Sequence, residues 1–364
     1  EWPLSMYVPP RPENVSTLPH VLDRLAFVYL PDATELEREE RLRRSLEDFY
    51  RSPDAPTVEP LLPDLNRGRI HGWMADGVPI AAFTFLPEAY ENRRRQPPAC
   101  PDQKDVTVVL NDEEMSAEAN AIVRLYEERA DDLGIDARVR RGLDREALSA
   151  ALSRPAALFH YVGHCDRKGL RCPDGNLSVE DVGRSRARVF FLNACGSYHE
   201  GEALVRKGSI TGAVTLRPVL DEQATRVGTA FAQLVTRGLT VERSLRVACR
   251  RAIMNKDYGV VGDGSYALRT GGESRTGIAT VARAGGDFQV TVENGSARSI
   301  GAYVTPILSG DPPLSGEQRS TSMSRAELCS FLDRRDLPVI YGNEYYWSDD
   351  LARKLRGDET DGTR

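Results

Sequence analysis

Two short apolar segments constrain the fold of this chain more than any other feature. ALFHYVGH spans residues 157–164, and RVFFLNAC spans residues 188–195. Short apolar runs of this kind are typical of strands that are buried on both faces of a sheet. A sheet of such strands needs helices on both faces, so the two segments predict an α/β domain with a mostly parallel sheet flanked by helices.

The same alternation of strand and helix extends on either side of these segments. VTVVLND (106–112) predicts a strand, and either Asn111 or Asp112 is expected to cap the helix that follows. IDARVRR (135–141) and SITGAVTLR (209–217) predict further strands, and apolar residues at helical spacing predict the helices between them. We therefore assign residues 104–270 to one α/β domain.

The residues before this domain have a different composition. Residues 1–103 are rich in Pro and charged residues, and they contain a predicted strand at 25–30 and a predicted hairpin through 70–85. This N-terminal accessory region is expected to be either an appended module or an extension of the main sheet.

The residues after the domain change in character again. In 271–364, β-rich runs are separated by Gly285-Gly286 and Asn294-Gly295, which are typical hairpin signals. The pattern predicts a C-terminal antiparallel β segment, followed by a loose tail after Trp347.

Charge and cysteine content restrict the possible partners and the compartment. Lys and Arg total 48 against 54 Asp and Glu, and a net charge of −6 does not favour direct binding of nucleic acid. No apolar run is long enough to span a membrane, and no secretory signal is recognised at the start. Six scattered cysteines do not predict a disulfide framework. We therefore expect a cytoplasmic protein without membrane contact.

Each of the two apolar strands ends in a reactive side chain, His164 in one and Cys195 in the other. Sites in open α/β sheets form beyond the carboxyl ends of strands, so neighbouring strands would bring both side chains to one cleft. A thiol and an imidazole placed there can act as nucleophile and general base. The backbone N–H of Gly196 can stabilise an oxyanion, and Ser197 can support the turn. A buried Cys and a hydrogen-bonded His at two strand ends remain the structural alternative.

Two further polar residues lie on these strands. His160 shares a strand face with His164, where it either lines the cleft or is a buried residue with a hydrogen-bond partner. Asn193 shares the face of Cys195 and is expected to anchor a neighbouring loop. Cys249 lies on an apolar helical stripe and is expected in the core.

Three sequence motifs, in their order and spacing, resemble the CHAT domain, a branch of the caspase, separase and gingipain clan of cysteine peptidases. The motifs are HYVGH (160–164), FFLNACGS (190–197) and the segment 219–248. The resemblance covers residues 105 to 268. It implies a caspase–hemoglobinase-like fold, hydrolysis of a protein substrate without a cofactor, and a regulated enzyme such as a prokaryotic defence or cell-death effector.

The resemblance also implies roles for individual residues. His164 would be the base, Cys195 the nucleophile, and the N–H groups of Cys165 and Gly196 the oxyanion donors. Family members usually have Gly where this chain has Cys165, which puts the close backbone approach in doubt. Asp221 is expected either to cap a helix or, as the resemblance to separase and related enzymes with basic specificity implies, to bind a basic residue just before the cut bond.

Two other functions remain open, and regulation is expected. His160, His164, Cys165, Cys172 and Cys195 could hold zinc, although their spacing lacks paired cysteines and we predict no metal. An inactive scaffold that binds partner proteins is the second alternative. A peptidase would need control by a regulatory protein or sensor partner, or by cleavage of the polar loop 166–187, because unregulated proteolysis is toxic.

Overall fold

The computed structural model describes most of the chain from residue 70 onward and short stretches before it. The described residues are 2–3, 26–29, 58, 60–63, 70–96, 104–112, 122–127, 135–219, 221–250, 257–268, 276–295, 307–310, 318–342 and 344–361. They fall into two compact units that divide between Gly272 and Glu273. Each unit has its own sheet and its own apolar core.

The first unit contains a ten-stranded sheet and two small sheets. Its strands are β1 (Trp2–Pro3), β2 (Ala26–Tyr29), β3 (Pro60–Leu61), β4 (Ile70–Trp73), β5 (Val78–Pro79), β6 (Phe83–Thr84), β7 (Lys104–Leu110), β8 (Ile135–Arg141), β9 (Ala156–Val162), β10 (Cys165–Asp166), β11 (Gly169–Cys172), β12 (Gly175–Leu177), β13 (Ala187–Asn193), β14 (Thr211–Thr215) and β15 (Tyr258–Gly262). The order in the large sheet is β1-β2-β4-β6-β15-β14-β13-β9-β7-β8.

Most neighbours in the large sheet are parallel. The strands β8, β7, β9, β13 and β14 run one way, and β15, β6, β4 and β2 run the other way. The predicted α/β class with a mostly parallel sheet is therefore confirmed. The N-terminal strands β1, β2, β4 and β6 belong to this sheet, so these described strands extend the main sheet and do not form an appended module. The hairpin predicted through 70–85 is wrong, because β4 and β6 pair in parallel while β5 between them pairs with β3.

Helices cover both faces of the large sheet. They are α1 (Pro87–Arg95), α2 (Arg145–Leu152), α3 (Tyr198–Arg206), α4 (Asp221–Thr236) and α5 (Val241–Arg250), and residues 122–127 are also helical. Leu192 of β13 shares a core cluster with Leu204 of α3. Its neighbour Phe191 points to the other face, where its ring centroid lies 4.8 Å from that of Phe231 in α4. Both faces of β13 are buried, as its apolar sequence predicts.

The segment 166–187, predicted as a polar loop, contains regular structure. β10, β11 and β12 form a three-stranded antiparallel sheet directly after β9, and Val179–Asp181 forms a 3₁₀ turn. Gly169 has a φ of +115°, and a Cβ there would lie 2.1 Å from the Leu177 carbonyl oxygen, so the turn requires glycine. Strands of two to four residues are too short to produce a periodic pattern, and their pairing therefore escaped the sequence reading.

The described residues of the second unit form a five-stranded sheet and two helices. Its elements are β16 (Thr276–Ala284), β17 (Asp287–Gly295), β18 (Gln318–Met323), α6 (Arg325–Asp333), β19 (Pro338–Tyr341), β20 (Glu344–Trp347) and α7 (Ser348–Asp361). The strand order is β18-β17-β16-β19-β20, and all pairs except β16 with β19 are antiparallel. The hairpin predicted at Gly285-Gly286 is confirmed. The hairpin turn predicted at Asn294-Gly295 is wrong, because both residues lie in β17, where they pair with Gly277 and Thr276 of β16.

The C-terminal tail differs from its prediction. Residues 348–361 form α7 and are not loose, since Leu351, Ala352 and Leu355 are fully buried in the core of the second unit. Their helical spacing places them on one face, and tertiary burial overrides the polar composition of the segment. Among the helices of the described residues, none is long and apolar enough to cross a lipid bilayer.

Candidate active site

Three adjacent parallel strands end at the same edge of the large sheet. Leu110 of β7 is paired with Val162 of β9, and Val162 is paired with Asn193 of β13. The strands that carry His164 and Cys195 are therefore neighbours, as the sequence predicts. His164 and Cys195 each lie two residues beyond these paired positions.

Asp112 occupies the corresponding position after β7, two residues beyond Leu110. Its Oδ2 forms an ion-pair contact with Nε2 of His164. The Asp112 side chain is 12% exposed, while the His164 side chain is 39% exposed and open to a ligand. A carboxylate at one ring nitrogen fixes the tautomer and stabilises the imidazolium. Nδ1 is thereby left as the nitrogen that can accept a proton.

Asp112 is the site residue that the sequence reading missed. The sequence predicts a helix cap at either Asn111 or Asp112, and residues 113–121, where that helix is expected, lie outside the described residues. The available signal was its position, because Asp112 follows an apolar strand at the same distance as His164 and Cys195. Sequence alone does not reveal that β7 lies directly beside β9.

Cys195 lies on a turn that is anchored to the sheet. It is partly exposed, whereas the other described cysteines, at positions 165, 172, 249 and 329, are buried. The Ser197 hydroxyl donates to the Leu192 carbonyl at 3.0 Å and accepts from the Thr215 backbone N–H at 3.1 Å. The supporting role predicted for Ser197 is therefore confirmed. These bonds connect the turn to β13 and β14.

The backbone beyond Cys195 is shaped by glycine and by a helix start. Gly196 has a φ of +66°, in the left-handed region that favours glycine. Helix α3 begins at Tyr198, three residues after Cys195. Helix N-termini carry partial positive charge and unpaired N–H groups, which favour a nearby anion. The assignment of the Gly196 N–H as an oxyanion donor stays a prediction.

Cys165, the residue after His164, starts strand β10. Its side chain is buried in the core cluster that contains Leu170 and Tyr161. Burial, with a smaller contribution from Glu200, raises the pKa of the Cys165 thiol, so this thiol stays protonated. Among the described residues only Ala81 is a non-glycine with positive φ, so the backbone at Cys165 does not require glycine. Its predicted N–H role stays open to test.

His160 does not reach the cleft. It is fully buried, and its Nδ1 lies 3.3 Å from the Tyr126 hydroxyl. Burial lowers the pKa of His160 to about 3, so its imidazole is neutral. Its position matches the buried alternative, and the substrate contact assigned to it is corrected. Strand alternation places His160 on one face of the sheet but does not show whether that face is covered. In the structure, residues 122–127 cover the face at His160.

The first turn of α4 is attached to the sheet through Asn193. The Asn193 amide donates to the Ala224 carbonyl at 3.1 Å, and its oxygen lies 3.4 Å from the Tyr258 hydroxyl. Asn193 thus anchors a neighbouring element, which is a helix and not the expected loop. Asp221 is the first residue of α4, but its side chain lies outside the described residues, and its role stays a prediction.

Within the described part of the chain, no group of three His, Cys, Asp or Glu side chains is arranged to hold a metal ion. The residues considered for zinc are dispersed, since His160 lies in the buried layer under the 122–127 helix and Cys165 lies in the opposite core cluster. The structure places Asp112 in contact with His164, and Cys195 follows the adjacent strand at the same register position as His164.

Comparison with known proteins gives only distant likenesses. No family model matches the chain, the CHAT domain included, and no curated protein is significantly similar to it. Among solved structures, the Arg-specific cysteine proteinase gingipain R is 12% identical, with a TM-score of 0.42 and 61% of each chain covered. The complex of the Porphyromonas gingivalis RgpB pro- and mature domains gives 13% identity, 61% and 63% coverage and a TM-score of 0.41. The Saccharomyces cerevisiae separase–securin complex gives 12% identity and a TM-score of 0.38, covering 54% of this chain but 15% of that one. These values are too low to establish a common activity.

Proposed function

We propose that the chain is a cysteine peptidase in which Cys195 is the nucleophile, His164 the general base and Asp112 the residue that orients His164. One observation carries the proposal: carboxylate, imidazole and thiol follow three adjacent parallel strands at the same register position. This order is what a thiol nucleophile with an oriented base requires.

The reaction follows from these positions. Nδ1 of His164 takes the Cys195 proton, and the thiolate forms a bond to the peptide carbonyl carbon. The resulting oxyanion is stabilised by backbone N–H groups, for which Gly196 and Cys165 are the candidates. The C–N bond then breaks, and the imidazolium gives its proton to the leaving amine. Water, deprotonated by His164, hydrolyses the thioester to a carboxylic acid and restores the thiol.

Substrate preference is the finer part of the proposal. We keep the hypothesis that Asp221, at the start of α4, binds a basic residue just before the cut bond. A change in the ratio of basic to neutral peptides cut by Asp221→Ala would support it. An unchanged ratio would reject it.

Regulation is also part of the proposal. Within 166–187, the backbone N–H of Val179 donates to the Glu200 carboxylate at 2.6 Å, and the Lys207 ammonium donates to the Glu180 carbonyl at 2.6 Å. These contacts hold the segment against α3, which favours control by a partner protein over cleavage of this segment. If the segment is cleaved instead, the exposed Arg167-Lys168 turn is the expected position of the cut. Mass spectrometry of the chain after incubation would reveal such a cut.

The decisive experiment is cleavage of a mixed peptide library, read by mass spectrometry. We expect cutting by the parent chain and by Cys249→Ala, the matched control that removes a buried thiol of α5 with no proposed role in the site. Cys195→Ala and His164→Ala should not cut. Equal cutting by the parent and Cys195→Ala would reject the proposal. If the parent is inactive even after addition of cell extract from the source organism, the scaffold alternative is favoured.

A further inference from the structure

A closed chain of contacts, called the ring below, connects Asp112 and His164 through neighbouring residues. It consists of hydrogen bonds among Tyr161, His164, Arg171 and Asn111 and of the Asp112–His164 contact. The Tyr161 hydroxyl donates to the Arg171 carbonyl at 2.7 Å and also lies 3.2 Å from the His164 carbonyl. The Arg171 N–H donates to the same His164 carbonyl at 2.9 Å. The Asn111 amide donates to the Arg171 carbonyl at 3.2 Å. Since Asn111 precedes Asp112, whose carboxylate contacts His164, the ring is closed.

Asn111 is itself fixed from two directions. Its amide donates to the Leu143 carbonyl at 2.9 Å, and its side-chain oxygen accepts the Leu143 N–H at 2.8 Å. Its backbone N–H donates to the Val162 carbonyl at 3.0 Å. Asn111, which directly precedes Asp112, therefore has little freedom to shift relative to β9 and to the residues after β8.

Tyr161 supplies the other half of the ring. It is fully buried in the core cluster on the face opposite to His160. Burial raises the pKa of Tyr161 well above its usual value, so the hydroxyl stays protonated and remains a donor at neutral pH. Its aromatic side chain is held by the core, and its hydroxyl oxygen contacts the carbonyls of His164 and Arg171.

We propose that Asn111 and Tyr161 are positioning residues, which act through the Arg171 carbonyl to hold Asp112 and His164 at a fixed separation. The inference rests on the proposed function, since it explains how the same imidazole is oriented. The hairpin of β10 and β11 thereby becomes a supporting element of the site. Its main-chain atoms, and not its side chains, carry the contact.

The arrangement permits a test in which the fold is retained. After Tyr161→Phe, the His164 carbonyl keeps the Arg171 N–H, and the Arg171 carbonyl keeps the Asn111 amide. No buried carbonyl loses its last donor, so the stability cost stays small. What is lost is the hydroxyl that bridges the two carbonyls, while the Arg171 N–H remains as the second link to His164.

The matched control is Tyr126→Phe. Tyr126 is also buried, and its hydroxyl also contacts a residue of β9, but that residue is His160 on the other face of the sheet. Both variants remove one buried hydroxyl beside the same strand. Only Tyr161 belongs to the ring around His164.

Three quantities should be measured for the parent, Tyr161→Phe, Asn111→Ala, the double variant and Tyr126→Phe. They are kcat and KM for a cleaved peptide, the rate of Cys195 alkylation by iodoacetamide against pH, and the midpoint of urea unfolding. We expect Tyr161→Phe and Asn111→Ala to lower kcat about tenfold at unchanged KM and to shift the alkylation profile. The double variant should lose less than the sum of both effects, because both act on one carbonyl.

The outcomes separate this inference from the proposed function. Parent-like kcat and alkylation in Tyr161→Phe would overturn the inference, as would an equal shift in Tyr126→Phe. If the parent cuts no peptide, but Tyr161→Phe still shifts the alkylation profile of Cys195 and Tyr126→Phe does not, the peptidase assignment fails and the positioning role stands.

Discussion

Replacement of Asp112 by Asn removes one negative charge from the site while keeping the size of the side chain. The carboxylate stabilises the imidazolium that forms when His164 takes the Cys195 proton, and the amide cannot do so. Hydrogen bonds to charged groups contribute about 1.5–3 kcal/mol. Because the His164 side chain is 39% exposed, water shares this stabilisation. We therefore take about 2 kcal/mol, which corresponds to a decrease of roughly 30-fold in kcat.

The assay is steady-state cleavage of a peptide selected from the library experiment. KM should change little, since Asp112 stabilises a charge that forms during the reaction and does not bind the substrate. The control is Asp174→Asn, which removes an exposed carboxylate paired with Arg145 at 3.1 Å. A kcat for Asp112→Asn within twofold of the parent would refute the orienting role, and an equal loss in Asp174→Asn would indicate a general charge effect.

Three further predictions concern other parts of the chain. Gly196→Ala forces a side chain into φ +66° beside Cys195, so cleavage should fall while Gly285→Ala, at φ +65° in the second unit, leaves the rate unchanged. Burial lowers the pKa of His160 to about 3, so the unfolded chain alone binds this proton below about pH 6.5. The free energy of unfolding should therefore fall between pH 6.5 and 3, by up to about 1.4 kcal/mol per pH unit from this group, and His160→Gln should remove that part of the slope in urea titrations. Leu355→Ala should lower the free energy of unfolding of the second unit by about 2–5 kcal/mol, whereas the exposed Lys354→Ala should change it by less than about 1 kcal/mol; equal effects would contradict the burial of α7.

Some elements outside the site were not predictable from local patterns. The parallel pairing of β4 with β6 depends on where the chain between them crosses, which a hairpin-like pattern does not encode. Helix α7 lies in a segment of polar composition, and only its contacts with the rest of the second unit bury Leu351 and Leu355. In both cases a long-range contact decides against the local signal.

The amino-acid sequence by itself determined the class of the main sheet and two members of the candidate site. The apolar runs at 157–164 and 188–195 require burial on both faces of the sheet. The residues that end these runs, His164 and Cys195, must therefore lie at the carboxyl ends of the strands. These inferences need only the local period of a strand.

The tertiary structure alone decided which strands are neighbours, and with that the third member of the site. Asp112 contacts His164 because β7 pairs with β9 in the register that joins Leu110 to Val162. The same packing buries His160 beneath Tyr126 and excludes it from the cleft. Strand order is set by the packing of many residues far apart in the chain, so no local period in the sequence contains it.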